Sequence, residues 1–382
     1  MSRLTLFHVG FLFLILFFTT TAKAQKEAET FNVDSTLYEY YQRCQEYLLE
    51  PVVLSMSDTL FRMAGERHDE RMQAVAIATR LDYYYFQGTN EDSVIHYTNK
   101  VKEFAKATHQ PKYYYFAWAN RLVTYYLKTS RTNIALYEVQ NMLKEAQKED
   151  DKTGLSRCYN IMSQIYTIKR FDSMAFEWRL KEIELTEKYN IENYNISQTY
   201  AQIANYYISQ KKQKEALRAV EKAISTANSS TQQISAKLEY VNYYSKFGDF
   251  QAAEKILKEC QIAFEQDKRL ESIKKRLYNI ECLYYQQTRQ YQKALEAAEM
   301  QEKEEHRLSE SILSSSHYRT QGEIYQKMGN MNMAVKYLQM YINTDDSLKI
   351  ANEQVASSEF ATLLNVEKLN AEKKELMLQA QE

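Results

Sequence analysis

Along most of this chain a Tyr is followed nine residues later by a small residue, with a polar stretch between them. The pairs are Tyr126/Ala135, Tyr166/Ala175, Tyr207/Ala216, Tyr244/Ala253, Tyr285/Ala294 and Tyr325/Ala334, and a weaker copy sets Val94 after Tyr85. Successive Tyr positions are 41, 40, 41, 37, 41 and 40 residues apart, a mean of 40. A fixed period of that size is the mark of a helical repeat array. The pair also makes sense in an antiparallel helix hairpin. A Tyr near the end of the first helix fills the space at the turn, and a small residue early in the second lets the two backbones approach. Lys246-Phe247-Gly248-Asp249-Phe250 and Lys327-Met328-Gly329-Asn330-Met331 each supply a Gly suited to a left-handed helix end. The pattern predicts hairpins over residues 79–344, preceded by a degenerate hairpin around 38–67 that Pro51 interrupts.

Composition supports the same fold class. The chain has 7 Gly and 2 Pro in 382 residues, too few for the many turns of a sheet protein or the Gly-rich crossings of a doubly wound fold. Its 32 Tyr, 16 Phe and 2 Trp exclude a disordered or low-complexity chain. The expectation is an all-α protein with a large core.

Residues 1–24 read as a secretory signal: Arg3, an apolar run of 15 residues over 4–18, then Ala22-Lys23-Ala24 before Gln25. The run is shorter than the ~18 to 20 residues needed to span a bilayer, so cleavage after Ala24 is expected, with an uncleaved anchor as the alternative. Cleavage removes Arg3 and Lys23 and takes the net charge from −1 to −3. An exported, periplasmic protein without a remaining membrane span follows. The weakly acidic balance argues against direct nucleic-acid binding, which needs a basic face. Cys44, Cys158, Cys260 and Cys282 have no metal or redox spacing and fall in helical patterns, where a free Cys acts as a small buried hydrophobe. A disulfide between Cys260 and Cys282, on adjoining helices, is the alternative.

These repeats resemble those of the tetratricopeptide repeat family. The best copy is Tyr200, Ile203, Ala204, Tyr207, Ala216, Val220 and Ala223, followed by Gly322, Tyr325, Gly329, Ala334 and Leu338, where Gly322 is the small residue at the helix crossing. The mean period of 40 exceeds the family's usual 34, and its repeat-end Pro is missing, which helices lengthened by about three residues would explain. HEAT or armadillo repeats are the alternative of similar period, and the Tyr-to-Ala spacing argues against them. The resemblance implies a right-handed α-solenoid of antiparallel hairpins with a groove lined by the first helix of each repeat.

Carried over residue by residue, that groove is read two, six and nine residues before each Tyr. Two before are Thr124, Gln164, Asn205, Asn242, Leu283 and Glu323; six before are Asn120, Asn160, Ala201, Leu238, Asn279 and Arg319; nine before are Arg157, Gln198, Ser235 and Arg276. Amides offer donors and acceptors and Arg forks onto carboxylates, so the lining suits a peptide backbone, a chain terminus or a polar saccharide. A hydrated surface without a specific ligand is the other reading. In relatives that bind peptide C-termini, Asn and basic side chains hold the terminal carboxylate; Asn205 and Asn242, flanked by Arg157 and Arg276, look similar, but the family's groove Lys has no clear counterpart. Runs such as Tyr83-Tyr84-Tyr85-Phe86 suit helix packing, with Tyr83 expected in the groove.

No metal, cofactor or catalytic site is expected. The six His residues lack the paired spacing of a zinc site, and the scattered Gly residues build neither a phosphate loop nor a nucleophile elbow. The expected partition is a signal peptide at 1–24, capping helices at 25–70, repeats at 71–348 and a final helix at 349–382. In that helix Val366, Leu369, Leu376 and Ala380 keep a and d spacing, a short coiled coil through which the chain would self-associate. The whole arrangement resembles the periplasmic sensor half of bacterial tetratricopeptide regulators. The expected function is therefore binding of a peptide or protein segment in an extracytoplasmic signalling module, and the alternative is a free-standing envelope scaffold.

Overall fold

The computed structural model describes residues 33–88, 90–191, 193, 195–308 and 315–379. Seventeen α-helices among these residues pair into antiparallel hairpins, a tetratricopeptide-like helical repeat architecture. The chain divides into two compact units, Met1–Ile161 and Met162–Glu382. The first holds α1 (Ser35–Glu46) with α2 (Val52–Glu66), and α3 (Glu70–Gln87) with α4 (Glu91–Ala107). Next comes a composite helix, α5 (Pro111–Tyr115), the π-helical segment Phe116–Val123 and α6 (Thr124–Lys128), which turns into α7 (Thr132–Lys148). The unit boundary falls inside α8 (Lys152–Ile168). The second unit continues with α9 (Asp172–Tyr189), α10 (Ile196–Ser209), α11 (Gln213–Ser225), α12 (Ser230–Phe247) and α13 (Phe250–Gln266). After a 3-10 turn (Lys268–Ile273) follow α14 (Lys274–Gln287), α15 (Tyr291–Leu308), α16 (Ser316–Lys327) and α17 (Met331–Gln379).

The repeated residues do the packing expected of them. Ala135, Ala175, Ala216, Ala253 and Ala294 are fully buried where the two helices of each hairpin approach, and Val94 takes the same place in the α3/α4 hairpin. All seven residues of the best copy share one core, with Tyr200, Ile203, Ala204, Ala216, Val220 and Ala223 buried and Tyr207 packed against them. A Cβ on Gly322 would stand 2.8 Å from Cγ of Leu338, so only Gly lets α16 and α17 cross at this distance.

The six turns that follow Tyr126, Tyr166, Tyr207, Tyr244, Tyr285 and Tyr325 close the same way. The carbonyl of the register Tyr accepts the N–H five residues on: Arg131 to Tyr126 at 2.8 Å, Phe171 to Tyr166, Lys212 to Tyr207 and Asp249 to Tyr244 at 2.9 Å, Gln290 to Tyr285 at 2.8 Å and Asn330 to Tyr325 at 3.0 Å. The residue before each of those donors is left-handed: Ser130, Arg170, Lys211, Gly248, Arg289 and Gly329, with φ of 60, 59, 57, 90, 60 and 77°. This is the Schellman closure, which satisfies carbonyls that a helix end would otherwise orphan. Gly was expected at such ends and stands at two of the six; the other four tolerate a left-handed L-residue because the closing hydrogen bond and hairpin packing over-determine the turn.

The four cysteines are free thiols, all buried. Cys260 on α13 and Cys282 on α14 are unbonded here and pack in two different core clusters, in keeping with the small-hydrophobe reading. Burial pushes the Cys260 thiol up to about 11, so it stays protonated. The final helix begins before residue 349: α17 runs 49 residues, Met331–Gln379, across the expected 348/349 boundary. The segment 1–24 and Ala380 lie outside the described residues, as do the side chains of Val366, Leu369 and Leu376 on α17. Among the described residues no helix is long and apolar enough to cross a membrane.

Candidate ligand groove

The first helices of consecutive hairpins lie side by side in the second unit, α10 against α12 and α12 against α14. Each is held in register by its ends. Ser229 caps α12 by accepting the Gln232 N–H at 3.2 Å, and α12 closes on Gly248. Inside, Leu238, Val241, Leu257, Leu277 and Ile280 form a shared core between α12, α13 and α14. The opposite faces of α10, α12 and α14 carry polar residues and form two cavities.

The larger cavity, about 480 Å³, is lined by Ser197, Gln198 and Ala201 of α10, Thr231, Gln232, Ser235 and Ala236 of α12, Ser272 and Ile273 of the 3-10 turn, Lys275, Arg276 and Asn279 of α14, and Gln301 of α15. The smaller, about 200 Å³, is lined by Asn205, Ile208, Ser209, Asn242, Ser245, Lys246, Leu283 and Gln287. Asn242 Nδ2 donates to Asn205 Oδ1 at 2.6 Å, joining α10 and α12. That bond leaves Asn205 with its amide donors and Asn242 with its carbonyl acceptor side by side in one cavity.

The expected groove residues are thereby divided. Gln198, Arg276 and Asn279 line the larger cavity and Asn205 and Asn242 the smaller. Tyr83, Asn120, Arg157, Asn160 and Gln164 line neither. Tyr83 packs half-buried against the core of the first hairpin and edge-on to Tyr84, with ring centroids 5.1 Å apart. Asn120 sits in the π-helical segment, its Oδ1 buried with no hydrogen-bond partner among the described residues. Arg157, Asn160 and Gln164 on α8 are engaged in interactions within the protein. Leu238, six before its Tyr and read as groove-facing, is instead fully buried. The reason is that first helices touch along this line, so an apolar side chain there is covered by Leu277 and Ile280 of the next one.

One residue that pairs with the groove lining was not anticipated. Glu239 is 1% exposed, and its carboxylate pairs with the guanidinium of Arg276. Its Oε2 and the Arg276 Nε have no hydrogen-bond partner among the described residues. The only signal in the sequence is a carboxylate set between Leu238 and Val241 on a helix face that is otherwise apolar. Among the described residues no group of three His, Cys, Asp or Glu side chains is placed to hold a metal ion.

No family model matches the chain, and no curated protein matches it. Solved structures do. The apo form of RapI is 15% identical, with 70% of this chain and 98% of that chain aligned at a TM-score of 0.51. The apo form of the quorum sensor NprR from B. thuringiensis is 15% identical over 84% of this chain and 91% of that one, at 0.48. A tetratricopeptide repeat protein from Parabacteroides merdae ATCC 43184 is 14% identical over 84% and 99%, at 0.44. At these identities the likeness to RapI speaks for the fold, in line with the repeat turns and buried Ala positions above, and this chain is a tetratricopeptide-like helical repeat protein.

Proposed function

We propose that this protein is a non-catalytic recognition module that holds an extended peptide or protein segment along α10, α12 and α14. The observation that carries the reading is the Asn205–Asn242 bond. It presents a donor and an acceptor together in one cavity, and a peptide unit offers one acceptor and one donor to meet them. The apolar wall from Ile208 and Leu283 beside this pair suits a neighbouring side chain. A fold that stacks hairpins with an unfilled polar face on their first helices supports the same reading. The module is exported by its first 24 residues and acts in extracytoplasmic signalling in a bacterium, with self-association through the final helix. A scaffold without signalling output would use the same groove.

The test is a peptide selected on the full chain from a random dodecamer phage library, then titrated by fluorescence anisotropy. Replacing Asn205 or Asn242 with Ala is expected to weaken it roughly tenfold, the size of a lost hydrogen bond with its partner left unpaired. Unchanged affinity in both variants refutes the reading. Export is checked by fractionating cells expressing the chain with and without residues 1–24.

A further inference from the structure

The larger cavity has a one-sided chemistry. Its lining holds two cations, Lys275 and Arg276, with neutral polar side chains and the small or apolar Ala201, Ala236 and Ile273, and no Asp or Glu among the described lining residues. Arg276 does not sweep freely: its Nη2 is tied to Glu239, which is buried to 1% exposure on α12. A buried ion pair adds little net stability, because desolvation offsets the attraction. Its effect here is geometric. The guanidinium is fixed at the cavity wall while its side chain stays 26% exposed, and a fork of five N–H donors is not exhausted by one carboxylate oxygen.

Spacing along the helices adds a second constraint. Gln198 precedes Asn205 by seven residues on α10, and Arg276 precedes Leu283 by seven on α14. Seven residues of helix cover ~10 Å, which an extended peptide crosses in about three residues.

We propose that the larger cavity selects an acidic side chain in an extended peptide, with Arg276 selecting it, Glu239 positioning Arg276, and an apolar side chain about three residues away seated against Leu283. This rests on the reading of the groove as a peptide site and deepens it to a ligand class. The ligand carries an acidic residue and an apolar residue at a fixed interval, in an internal stretch of chain.

The experiment is retention of positional-scanning decapeptide libraries, prepared once with C-terminal amides and once with free C-terminal carboxylates, on the immobilised full chain. Asp and Glu are expected to be enriched about tenfold at one position, the size of one charge-assisted hydrogen-bonded pair, with Leu, Ile or Phe enriched three residues away. Arg276→Ala should abolish the acidic enrichment and keep the apolar one, and Arg276→Lys should restore part of it. Glu239→Gln, which keeps the arginine, should lower the acidic enrichment severalfold while the apolar enrichment holds; circular dichroism melts confirm that each variant is folded. Retention without acidic preference, or an acidic preference indifferent to Arg276→Ala, overturns the proposal and leaves the peptide reading standing. An unaltered preference in Glu239→Gln removes Glu239 from it. Libraries retained only with a free C-terminal carboxylate overturn it in favour of a chain terminus. No retention of any library refutes the peptide reading, and the proposal with it.

Discussion

Exchanging residues between two equivalent turns should change stability in opposite directions. Lys211 and Gly248 each stand four residues after a register Tyr, with φ of 57 and 90°, and each precedes an N–H that bonds the Tyr carbonyl at 2.9 Å. An L-residue in the left-handed region costs ~1–2 kcal/mol, while Gly costs ~0.5–1 kcal/mol more in chain entropy on ordering. The difference predicts that Lys211→Gly stabilises by about 0.5–1 kcal/mol and Gly248→Ala destabilises by about 1 kcal/mol. A Cβ at Gly248 would meet nothing within 4 Å, so its cost is free of steric contributions. Urea unfolding followed by far-UV circular dichroism reads both. With a slope of roughly 3 kcal/mol/M, midpoints should move by ~0.2–0.3 M upward for Lys211→Gly and ~0.3 M downward for Gly248→Ala, at unchanged slope. Exchange of the Lys212 amide should slow in the first variant. Because Ser130, Arg170 and Arg289 occupy the same position in other hairpins, the gains should add when they are combined. A lowered midpoint in Lys211→Gly, or a neutral Gly248→Ala, refutes the reasoning that these turns share one backbone requirement.

Two further outcomes follow from packing and burial. Gly322→Ala places a Cβ 2.8 and 2.9 Å from Cγ and Cδ2 of Leu338 and 3.3 Å from its backbone N, so the helices must separate; a loss of ~1–2 kcal/mol is expected, partly recovered in Gly322→Ala/Leu338→Ala, and a neutral single variant contradicts the crossing. Lys102 lies over the Trp118 ring, its Nζ 3.2 Å from the centroid, and burial lowers its ammonium to about 8 against the pull of Glu145 and Glu138. The unfolded chain therefore binds more protons than the folded one between about pH 8 and 10, and stability from this group rises with pH across that window. Urea midpoints of the native protein should gain on those of Lys102→Met from pH 8 to 10, and parallel curves would show that Lys102 titrates normally.

Helices and hairpins were legible because their causes are local. A Tyr and a small residue nine apart report a turn and a close approach within one hairpin, and the best copy, Tyr200 to Ala223, forms a core as a unit. Gly248, Gly329 and Gly322 announced two left-handed turns and a crossing, because only Gly meets those demands without a side chain. The other four turns were silent, since Ser130, Arg170, Lys211 and Arg289 reach the same backbone state under tertiary constraint and carry no mark of it. The groove divides along the same line. A count back from each Tyr places Gln198, Asn205, Asn242, Arg276 and Asn279 on polar helix faces, which needs only the 3.6-residue period. Which faces meet is decided by side-by-side packing of helices that lie about 40 residues apart in the chain. That packing covered Leu238, drew Glu239 inside to face Arg276 and brought the two Asn side chains within 2.6 Å, all of which depend on neighbours from other repeats.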